Sequence, residues 1–242
     1  MERTLYSSGK TAIVRSADPA VEAALFERAG CEPMPSRGRG AVYRFPLADG
    51  AGILRPYRRG GAVRFILKES YLFVNRPRRE WLVHGYLFDA GFPVPEPLGV
   101  VWERRGPVYR GAFAARWMEA TDLLAFCAER PTEAPAMCRK AGEVILRMHE
   151  LGVVHADLQV KNILIRKDNG DVVLIDFDNA RRYKSVSESA RARNLLRLRR
   201  SCVKNNMAPE WFTAIQEGYG SMLEWEERPP TDAELNELDP HK

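Results

Sequence analysis

Residues 153–177 read V-V-H-A-D-L-Q-V-K-N-I-L-I-R-K-D-N-G-D-V-V-L-I-D-F. This stretch predicts a β-hairpin with polar groups at its open end. Two short apolar runs, I-L-I and V-V-L-I, flank a polar turn that contains the dipeptide N-G. Asn-Gly between β-rich runs is a strong hairpin signal. Because a hairpin returns its second strand beside its first, we expect Asp176 to lie near Asn162.

Three oxygen-bearing side chains should therefore meet at one end of this hairpin. The residue order H-x-D-L-x-x-x-N followed by D-F is the pattern of a kinase active site. In that pattern Asp157 meets the acceptor hydroxyl, and Asn162 and Asp176 hold Mg²⁺, which prefers oxygen ligands. His155 is interpreted as a structural residue of the loop. The alternative is an ordinary surface hairpin whose Asp and Asn residues only form turns.

Bulk composition sets limits on the class of protein. A chain of 242 residues can bury a sizeable core, as one large domain or two small lobes. No run approaches the roughly 18 apolar residues of a membrane span, and the start M-E-R-T-L-Y-S-S-G-K lacks the apolar core of a signal peptide. We therefore expect a cytoplasmic protein. Its four cysteines form no C-x-x-C, so a zinc site is not expected.

Positive charge is unevenly distributed along the chain, whose net charge is +5. Residues 181–204 contain nine Lys or Arg and a single acid, Glu188. A basic surface of this kind favours an anionic partner, such as a phosphate-rich substrate, a membrane surface or nucleic acid. The alternative is that these arginines form only a solvated helix face.

The N-terminal part contains a candidate phosphate-covering loop. Gly38 and Gly40 lie in S-R-G-R-G-A-V-Y-R-F, just before a predicted strand. Glycine permits a tight turn and close approach of the backbone to a ligand. A simple β-turn would give the same pattern.

A strand cation and a helix carboxylate form the next candidate pair. Arg55, in A-G-I-L-R-P-Y, occupies the position of the strand lysine that grips nucleotide phosphates in kinases. Glu80 shares an apolar helix face with Val83 and Leu87, and a buried carboxylate needs a partner. Arg55 is the predicted partner. The alternatives are an exposed edge-strand arginine and an exposed Glu80 paired with a neighbouring arginine of its own helix.

Two further segments follow from the kinase interpretation. The sequence W-M-E-A at 117–120 is the expected connector between two lobes, and the adenine ring would lie at Met118. Residues 135–151 have apolar residues at helical spacing and predict a scaffold helix. A second helix is expected at about 189–204. The tripeptide A-P-E at 208–210 is interpreted as a chance match, so a protein substrate is poorly supported.

The hairpin sequence resembles that of the lipopolysaccharide kinases, most closely those acting on 3-deoxy-D-manno-octulosonic acid (Kdo). The similarity extends to S-R-G-R-G-A-V-Y-R-F, L-R-P-Y-R-R-G-G, D-A-G-F-P-V-P-E-P and N-L-L-R-L-R-R-S, and so covers about residues 36–201. It implies an α+β, bilobal protein-kinase-like fold. The expected small, β-rich N-lobe covers residues 1–118 and the mostly helical C-lobe covers residues 119–242.

This resemblance also implies a reaction: ATP- and Mg²⁺-dependent phosphorylation of a hydroxyl on the inner-core Kdo of a Kdo-lipid A type glycolipid. The enzyme would act as a peripheral protein at the cytoplasmic face of the bacterial inner membrane, against its anionic surface. No nucleic acid and no protein partner are expected. Three alternatives remain open: a kinase of another core sugar such as heptose, a soluble aminoglycoside- or choline-type phosphotransferase, and a membrane-binding pseudokinase without catalytic activity.

Overall fold

The computed structural model describes residues 2–34, 41–57, 75–106 and 108–220. The chain divides into two compact units. The first comprises Met1–Phe88 and Pro95–Met118, and the second comprises Asp89–Val94 and Glu119–Lys242. Gly38 and Gly40, the predicted phosphate-covering loop, lie outside the described residues.

The first unit is built on one antiparallel sheet. Its described elements are β1 (Arg3–Ser7), β2 (Lys10–Val14), α1 (Pro19–Glu27), β3 (Glu32–Met34), β4 (Val42–Leu47), β5 (Gly50–Pro56), α2 (Arg76–Asp89), β6 (Pro97–Arg105) and β7 (Val108–Arg116). Within the described residues the strand order is β1-β2-β6-β7-β5-β4-β3, and every neighbouring pair is antiparallel.

The two helices described in this unit cover opposite faces of the sheet. On one face, Leu25 of α1 packs in a buried cluster with Leu54 of β5. On the other, Trp81 of α2 packs against Phe113 of β7, with ring centroids 5.9 Å apart. Because side chains alternate along a strand, Arg55 points away from the α1 face and toward the α2 face. This alternation brings a strand cation to the helix that carries Glu80.

The second unit is mostly helical. Its elements are β8 (Ala120–Asp122), α3 (Leu123–Glu129), α4 (Ala134–Glu150), β9 (Val153–Val154), a 3₁₀ turn (Val160–Asn162), β10 (Ile163–Arg166), β11 (Val172–Leu174), β12 (Arg181–Arg182), α5 (Glu188–Lys204) and α6 (Pro209–Tyr219). In this part of the described chain, β8, β10 and β11 form one small sheet, and β9 pairs with β12.

The predicted hairpin is confirmed as β10 and β11. Ile163 lies opposite Leu174, and the turn contains Gly170 with a positive φ of 71°. Helix α4 is also confirmed, within one residue of its predicted ends. Helix α6 begins at Pro209, so the tripeptide A-P-E forms the start of a helix.

Helices α4 and α6 pack with their backbones in direct contact. A Cβ atom on Gly142 would lie 2.1 Å from the carbonyl oxygen of Ile215, and one on Gly218 would lie 2.0 Å from that of Arg139. Real Cβ atoms do not approach a backbone this closely, so both positions require glycine at this helix separation. The glycine pair therefore fixes α6 on α4.

Within the described residues, no helix combines the length and the apolar character needed to cross a membrane.

We expect Gly142→Ala to destabilise the protein. Alanine favours a helix over glycine by about 1 kcal/mol, but here its methyl group would force α4 and α6 apart. Overpacking of this kind lowers the free energy of unfolding by about 1–3 kcal/mol, measurable by urea denaturation. The exposed neighbour Glu143 supplies the control, because Glu143→Ala should change stability by less than about 0.5 kcal/mol. Equal stability of the two variants would contradict the close contact.

Candidate active site

Asn162 ends the loop at residues 155–162, named the catalytic loop here after the predicted role of Asp157, and links that loop to the far strand of the hairpin. Its side-chain amide Nδ2 donates a hydrogen bond to the carbonyl oxygen of Asp157 at 2.8 Å. Its own carbonyl oxygen accepts from the peptide N–H of Ile175 at 3.0 Å. Ile175 directly precedes Asp176, so the structure brings the three predicted residues Asp157, Asn162 and Asp176 to the same end of the hairpin.

His155 makes a second connection between the loop and the strand. The peptide N–H of Asp157 donates to its Nδ1 at 3.1 Å, so Nδ1 carries a lone pair. Its Nε2 then donates to the carbonyl oxygen of Ile175 at 2.9 Å. Burial lowers the pKa of His155, which favours this neutral form. The imidazole also packs on Phe177, with ring centroids 4.9 Å apart. Its role is therefore structural, as predicted.

Asp157 itself is exposed, and one of its oxygens is already engaged. The side-chain amide of Gln159 donates to its Oδ2 at 2.8 Å. Asp176 is half-buried and adopts a left-handed backbone conformation, with φ 67°. Non-glycine residues in this conformation are uncommon and occur often at functional sites. The turn lets the chain leave β11 and bury Phe177 directly after Asp176.

The donor atoms at this end of the hairpin fit a divalent cation. Because Nδ2 of Asn162 donates to the loop, its Oδ1 lies on the opposite side of the amide. That oxygen and the carboxylate of Asp176 are hard donors of the kind that Mg²⁺ takes. Among the described residues, no group of three or more His, Cys, Asp or Glu could hold a metal. The donor set fits an ion that takes its remaining ligands from phosphate and water.

Glu80 is buried in the first unit, with 2% of its side chain exposed, and it is fully satisfied by hydrogen bonds. Arg55 donates from Nη2 to both carboxylate oxygens, at 2.5 and 2.6 Å. The Tyr57 hydroxyl donates to Oε2, and the Arg55 guanidinium lies 5.2 Å from the centre of the Tyr57 ring. The predicted Arg55–Glu80 pair is confirmed, and the alternative of an exposed Glu80 is wrong.

Tyr57 is a partner that the sequence did not reveal. It follows Arg55 by two residues, so the pleat places both side chains on the same face. An aromatic residue after a proline gives no sequence signal of this role. Removing a partner of a buried carboxylate destabilises a protein by about 3–5 kcal/mol, because the charge is left uncompensated. Arg55 and Tyr57 together compensate the charge of Glu80.

Met118 is half-buried and is the last residue of the first unit. The peptide N–H of the preceding Trp117 donates to the carbonyl oxygen of Ala51 at 2.8 Å. This hydrogen bond places Trp117 beside the start of β5. The assignment of Met118 to the adenine ring stays a prediction.

Helix α5 holds the catalytic loop through two buried polar residues that the sequence analysis missed. Asn194 donates from Nδ2 to the carbonyl oxygen of His155 at 2.6 Å, and its Oδ1 accepts from the His155 peptide N–H at 3.1 Å. The Ser201 hydroxyl accepts from the peptide N–H of Val160 at 3.2 Å. A spacing of seven residues puts both on one helix face. The available signal was a pair of polar residues at that spacing on the leucine face of the helix.

A basic, exposed segment runs beside the same loop. Arg181, Arg182, Tyr183 and Lys184 are all exposed. Arg181 pairs with Val154, which directly precedes His155. A Cβ on Gly152 would lie 2.3 Å from the carbonyl oxygen of Tyr183, so the two chain segments are in close contact. The segment is thus fixed in register beside residues 152–154, which lead into the loop that carries Asp157.

The hairpin residues of the second unit and the Arg55–Glu80 pair of the first each match a part of the residue pattern of protein-kinase-type phosphotransferases. The structure described as "WaaP in complex with acyl carrier protein" shares the fold, with a TM-score of 0.58 and 17% identity over 91% of this chain and 84% of that chain. The predicted α+β protein-kinase-like fold is confirmed.

The sequence itself identifies the family. The model of the lipopolysaccharide kinase (Kdo/WaaP) family matches residues 34–219, and the chain belongs to this family. The 3-deoxy-D-manno-octulosonic acid kinase of Vibrio cholerae serotype O1 is 35% identical over 172 residues, 69% of this chain and 72% of the relative. The enzyme of the same description from Xylella fastidiosa strain M12 is 34% identical over 176 residues, 71% and 70% of the two chains. The protein is accordingly an enzyme that transfers phosphate to an alcohol group.

We expect stability to fall between pH 6.5 and pH 5 because two buried histidines resist protonation. Burial lowers the pKa of His84 and of His149 to about 4. The unfolded chain takes up these protons below about pH 6.5, whereas the folded chain stays neutral until about pH 4. The two neutral histidines therefore make their full contribution to the free energy of unfolding above pH 6.5. Below pH 6.5, each histidine lowers that free energy by up to about 1.4 kcal/mol per pH unit.

Urea denaturation at pH 7.5, 6.5 and 5 measures this loss, in a range where most carboxylates stay ionised. Proton NMR of the imidazole C2–H signals provides the control, since both histidines should remain unprotonated at pH 5.5. A free energy of unfolding that is constant from pH 6.5 to 5 would contradict the burial of these rings.

Proposed function

We propose that the protein transfers the terminal phosphoryl group of ATP to a hydroxyl of the Kdo sugar in a Kdo-lipid A type glycolipid. The observation that carries this proposal is the hydrogen-bonded end of the hairpin, where Asp157, Asn162 and Asp176 meet. Family membership and the relatives described as 3-deoxy-D-manno-octulosonic acid kinases support the choice of acceptor.

Asp157 acts on the acceptor hydroxyl. Its peptide N–H is fixed by His155 and its Oδ2 by Gln159, so the carboxylate has a defined direction. It orients the hydroxyl and accepts its proton as the new O–P bond forms, while the bond from the terminal phosphorus to the bridging oxygen of ATP breaks and ADP leaves. Positioned proton transfer of this kind typically contributes roughly 10²–10⁴-fold to the rate.

Asn162 and Asp176 would hold Mg²⁺ through oxygen atoms. When bound, the cation neutralises charge on the nucleotide phosphates and holds them for in-line transfer. Asn162 and Asp176 would supply two ligands of the cation from fixed positions at the end of the hairpin. The bond from the Ile175 N–H to the Asn162 carbonyl keeps the two ligands close together, one just before β10 and the other just after β11.

In the first unit, Arg55 binds the nucleotide phosphates and Glu80 orients it. Arginine keeps its charge and presents a planar fork that suits phosphate oxygens. The short bonds to Glu80 use one nitrogen of the guanidinium, Nη2, and Tyr57 supports the same carboxylate. Gly38 and Gly40 cover the phosphates, and Met118 contacts the adenine ring.

The protein works as a peripheral enzyme at the anionic cytoplasmic face of the inner membrane. Support comes from the exposed segment 181–184, which carries three cations and an aromatic residue beside the catalytic loop. Basic residues near an anionic bilayer contribute about 1 kcal/mol each, and tyrosine is enriched at the membrane–water interface. This segment would hold the active site next to a lipid-anchored acceptor.

The decisive assay incubates the purified protein with ATP, Mg²⁺ and Kdo-lipid A. Mass spectrometry should find a product with one added phosphate, and fragmentation should locate that phosphate on the Kdo sugar. Heptose-bearing Kdo-lipid A and an aminoglycoside are the comparison acceptors. Turnover of the aminoglycoside without turnover of Kdo-lipid A would overturn the proposal.

Asp157→Asn should remove most of the activity while leaving nucleotide binding intact. The amide keeps the size of the side chain but cannot accept the proton, so kcat should fall by roughly 10²–10⁴-fold with little change in the KM for ATP. Asp171→Asn, an exposed substitution in the hairpin turn, is the matched control and should keep the wild-type kcat. A kcat within threefold of wild type for Asp157→Asn would exclude its role.

Reversing charge in the exposed segment should weaken membrane binding. The double variant Arg181→Glu/Lys184→Glu loses two cations worth about 1 kcal/mol each, a roughly thirtyfold weaker partition onto vesicles containing phosphatidylglycerol. Vesicle sedimentation measures this, with phosphatidylcholine vesicles as the uncharged surface. Lys140→Glu/Lys167→Glu makes the same change in net charge at exposed sites elsewhere. Equal loss in both double variants would indicate a general charge effect and no docking segment.

A further inference from the structure

A continuous line of hydrogen bonds runs from the end of α6 to the catalytic loop. The Tyr219 hydroxyl bonds to Nδ1 of His149 at 2.7 Å, and Nε2 of His149 bonds to Oδ1 of Asn194 at 3.0 Å. Asn194 then bonds to both the peptide N–H and the carbonyl oxygen of His155. All four residues are buried, with at most 5% of any of them exposed.

The donors and acceptors along this line have a unique assignment. Oδ1 of Asn194 must accept from the His155 peptide N–H, so it faces His149 as an acceptor. His149 therefore donates from Nε2, and as a neutral ring it has only a lone pair left on Nδ1. That lone pair accepts from the Tyr219 hydroxyl. A flipped Asn194 amide would oppose donor to donor at the His155 peptide N–H and acceptor to acceptor at the His155 carbonyl oxygen.

The line ends at the residue on which Asp157 depends. Asn194 fixes the peptide groups on both sides of His155. The His155 ring in turn fixes the peptide N–H of Asp157 and the carbonyl oxygen of Ile175. A rotation of one side-chain amide would therefore displace the loop and the hairpin end together.

Tyr219 is itself held firmly, so it can serve as the anchor. The contacts at Gly142 and Gly218 fix α6 on α4. Gly220, with φ 73°, ends α6 immediately after Tyr219. The tyrosine ring also meets the His149 ring edge-on, with centroids 5.6 Å apart and an interplanar angle of 76°.

From this geometry we propose that Asn194 is the positioning residue of the catalytic loop and that Tyr219, through His149, holds its amide in the productive orientation. The inference rests on the proposed function, in which Asp157 meets the acceptor hydroxyl. It adds a role for three helices, α4, α5 and α6, whose residues Asn194, His149 and Tyr219 do not touch the reacting atoms.

The first test is Tyr219→Phe, which removes one oxygen and keeps the ring. Loss of one hydrogen bond should lower kcat about fivefold with the KM for ATP unchanged. Hydrogen exchange of the amides at 155–162 should become faster in the free protein. Thr213→Val removes a hydroxyl from the exposed side of the same helix and should change neither quantity.

A double-mutant cycle then tests whether Tyr219 acts through Asn194. Asn194→Ala should lower kcat by roughly 10²-fold, because displacement of a catalytic group by about 1 Å has this effect. In that background Tyr219→Phe should cause no further loss, since coupled residues are not additive. Independent effects that multiply would overturn the coupling. If Asn194→Ala does not fold, Tyr219→Phe decides alone, and wild-type kcat and wild-type amide protection would overturn the proposal.

The exchange measurement separates this inference from the proposed function. It needs no acceptor, so faster exchange at 155–162 in Tyr219→Phe supports the positioning role even if Kdo-lipid A is not a substrate. Conversely, a Kdo-lipid A kinase whose loop protection and kcat ignore Tyr219 would refute the positioning role alone.

Discussion

The site depends on a buried imidazole that must stay neutral. His155 has one N–H and one lone pair, and the fold uses the first for the carbonyl of Ile175 and the second for the peptide N–H of Asp157. Hydrogen bonds have a narrow range of lengths, so these two bonds set the distance between the catalytic loop and the end of β11. Burial favours the neutral form, because charging the ring would require desolvation of a cation. The hairpin alone would place Asp176 near Asn162, whereas the His155 ring connects the strand end that carries Asp176 to Asp157.

In the first unit, too, a buried polar group determines where a functional side chain lies. Glu80 is a carboxylate removed from water, and such a group is tolerated only where donors replace the lost solvation. Arg55 and Tyr57 do so. The requirement works in both directions, since the buried carboxylate also holds the guanidinium in one place. Each unit thus uses a buried polar group to fix the position of a functional one.

Sequence patterns predicted the features that arise from local periodicity and local chemistry. The alternating apolar runs around N-G gave the hairpin, and the spacing of apolar residues gave α4 to within one residue at each end. The Arg55–Glu80 pair was predicted from a carboxylate on an apolar helix face and from the strand cation of the kinase pattern. Asn194 and Tyr57 were not predicted, because a side chain that bonds to a distant backbone or carboxylate leaves no periodic signal. The role of Gly142 was not predicted either, because a glycine inside a helix usually indicates only a weak helix former. The structure shows that the backbone of α6 lies directly against it.

The hydrogen bond from Gln159 to Asp157 has a consequence for the choice among the hydroxyl groups of a sugar. With Oδ2 engaged by that amide, the lone pairs of Oδ1 form the open side of the carboxylate. A sugar offers several hydroxyl groups that differ little in intrinsic reactivity, and an approach from the amide side would have to displace Gln159. Gln159, two residues along the chain, would therefore decide from which side a hydroxyl reaches Asp157, the proposed general base. Regioselectivity would then be a property of this loop, separable from the machinery that binds the nucleotide.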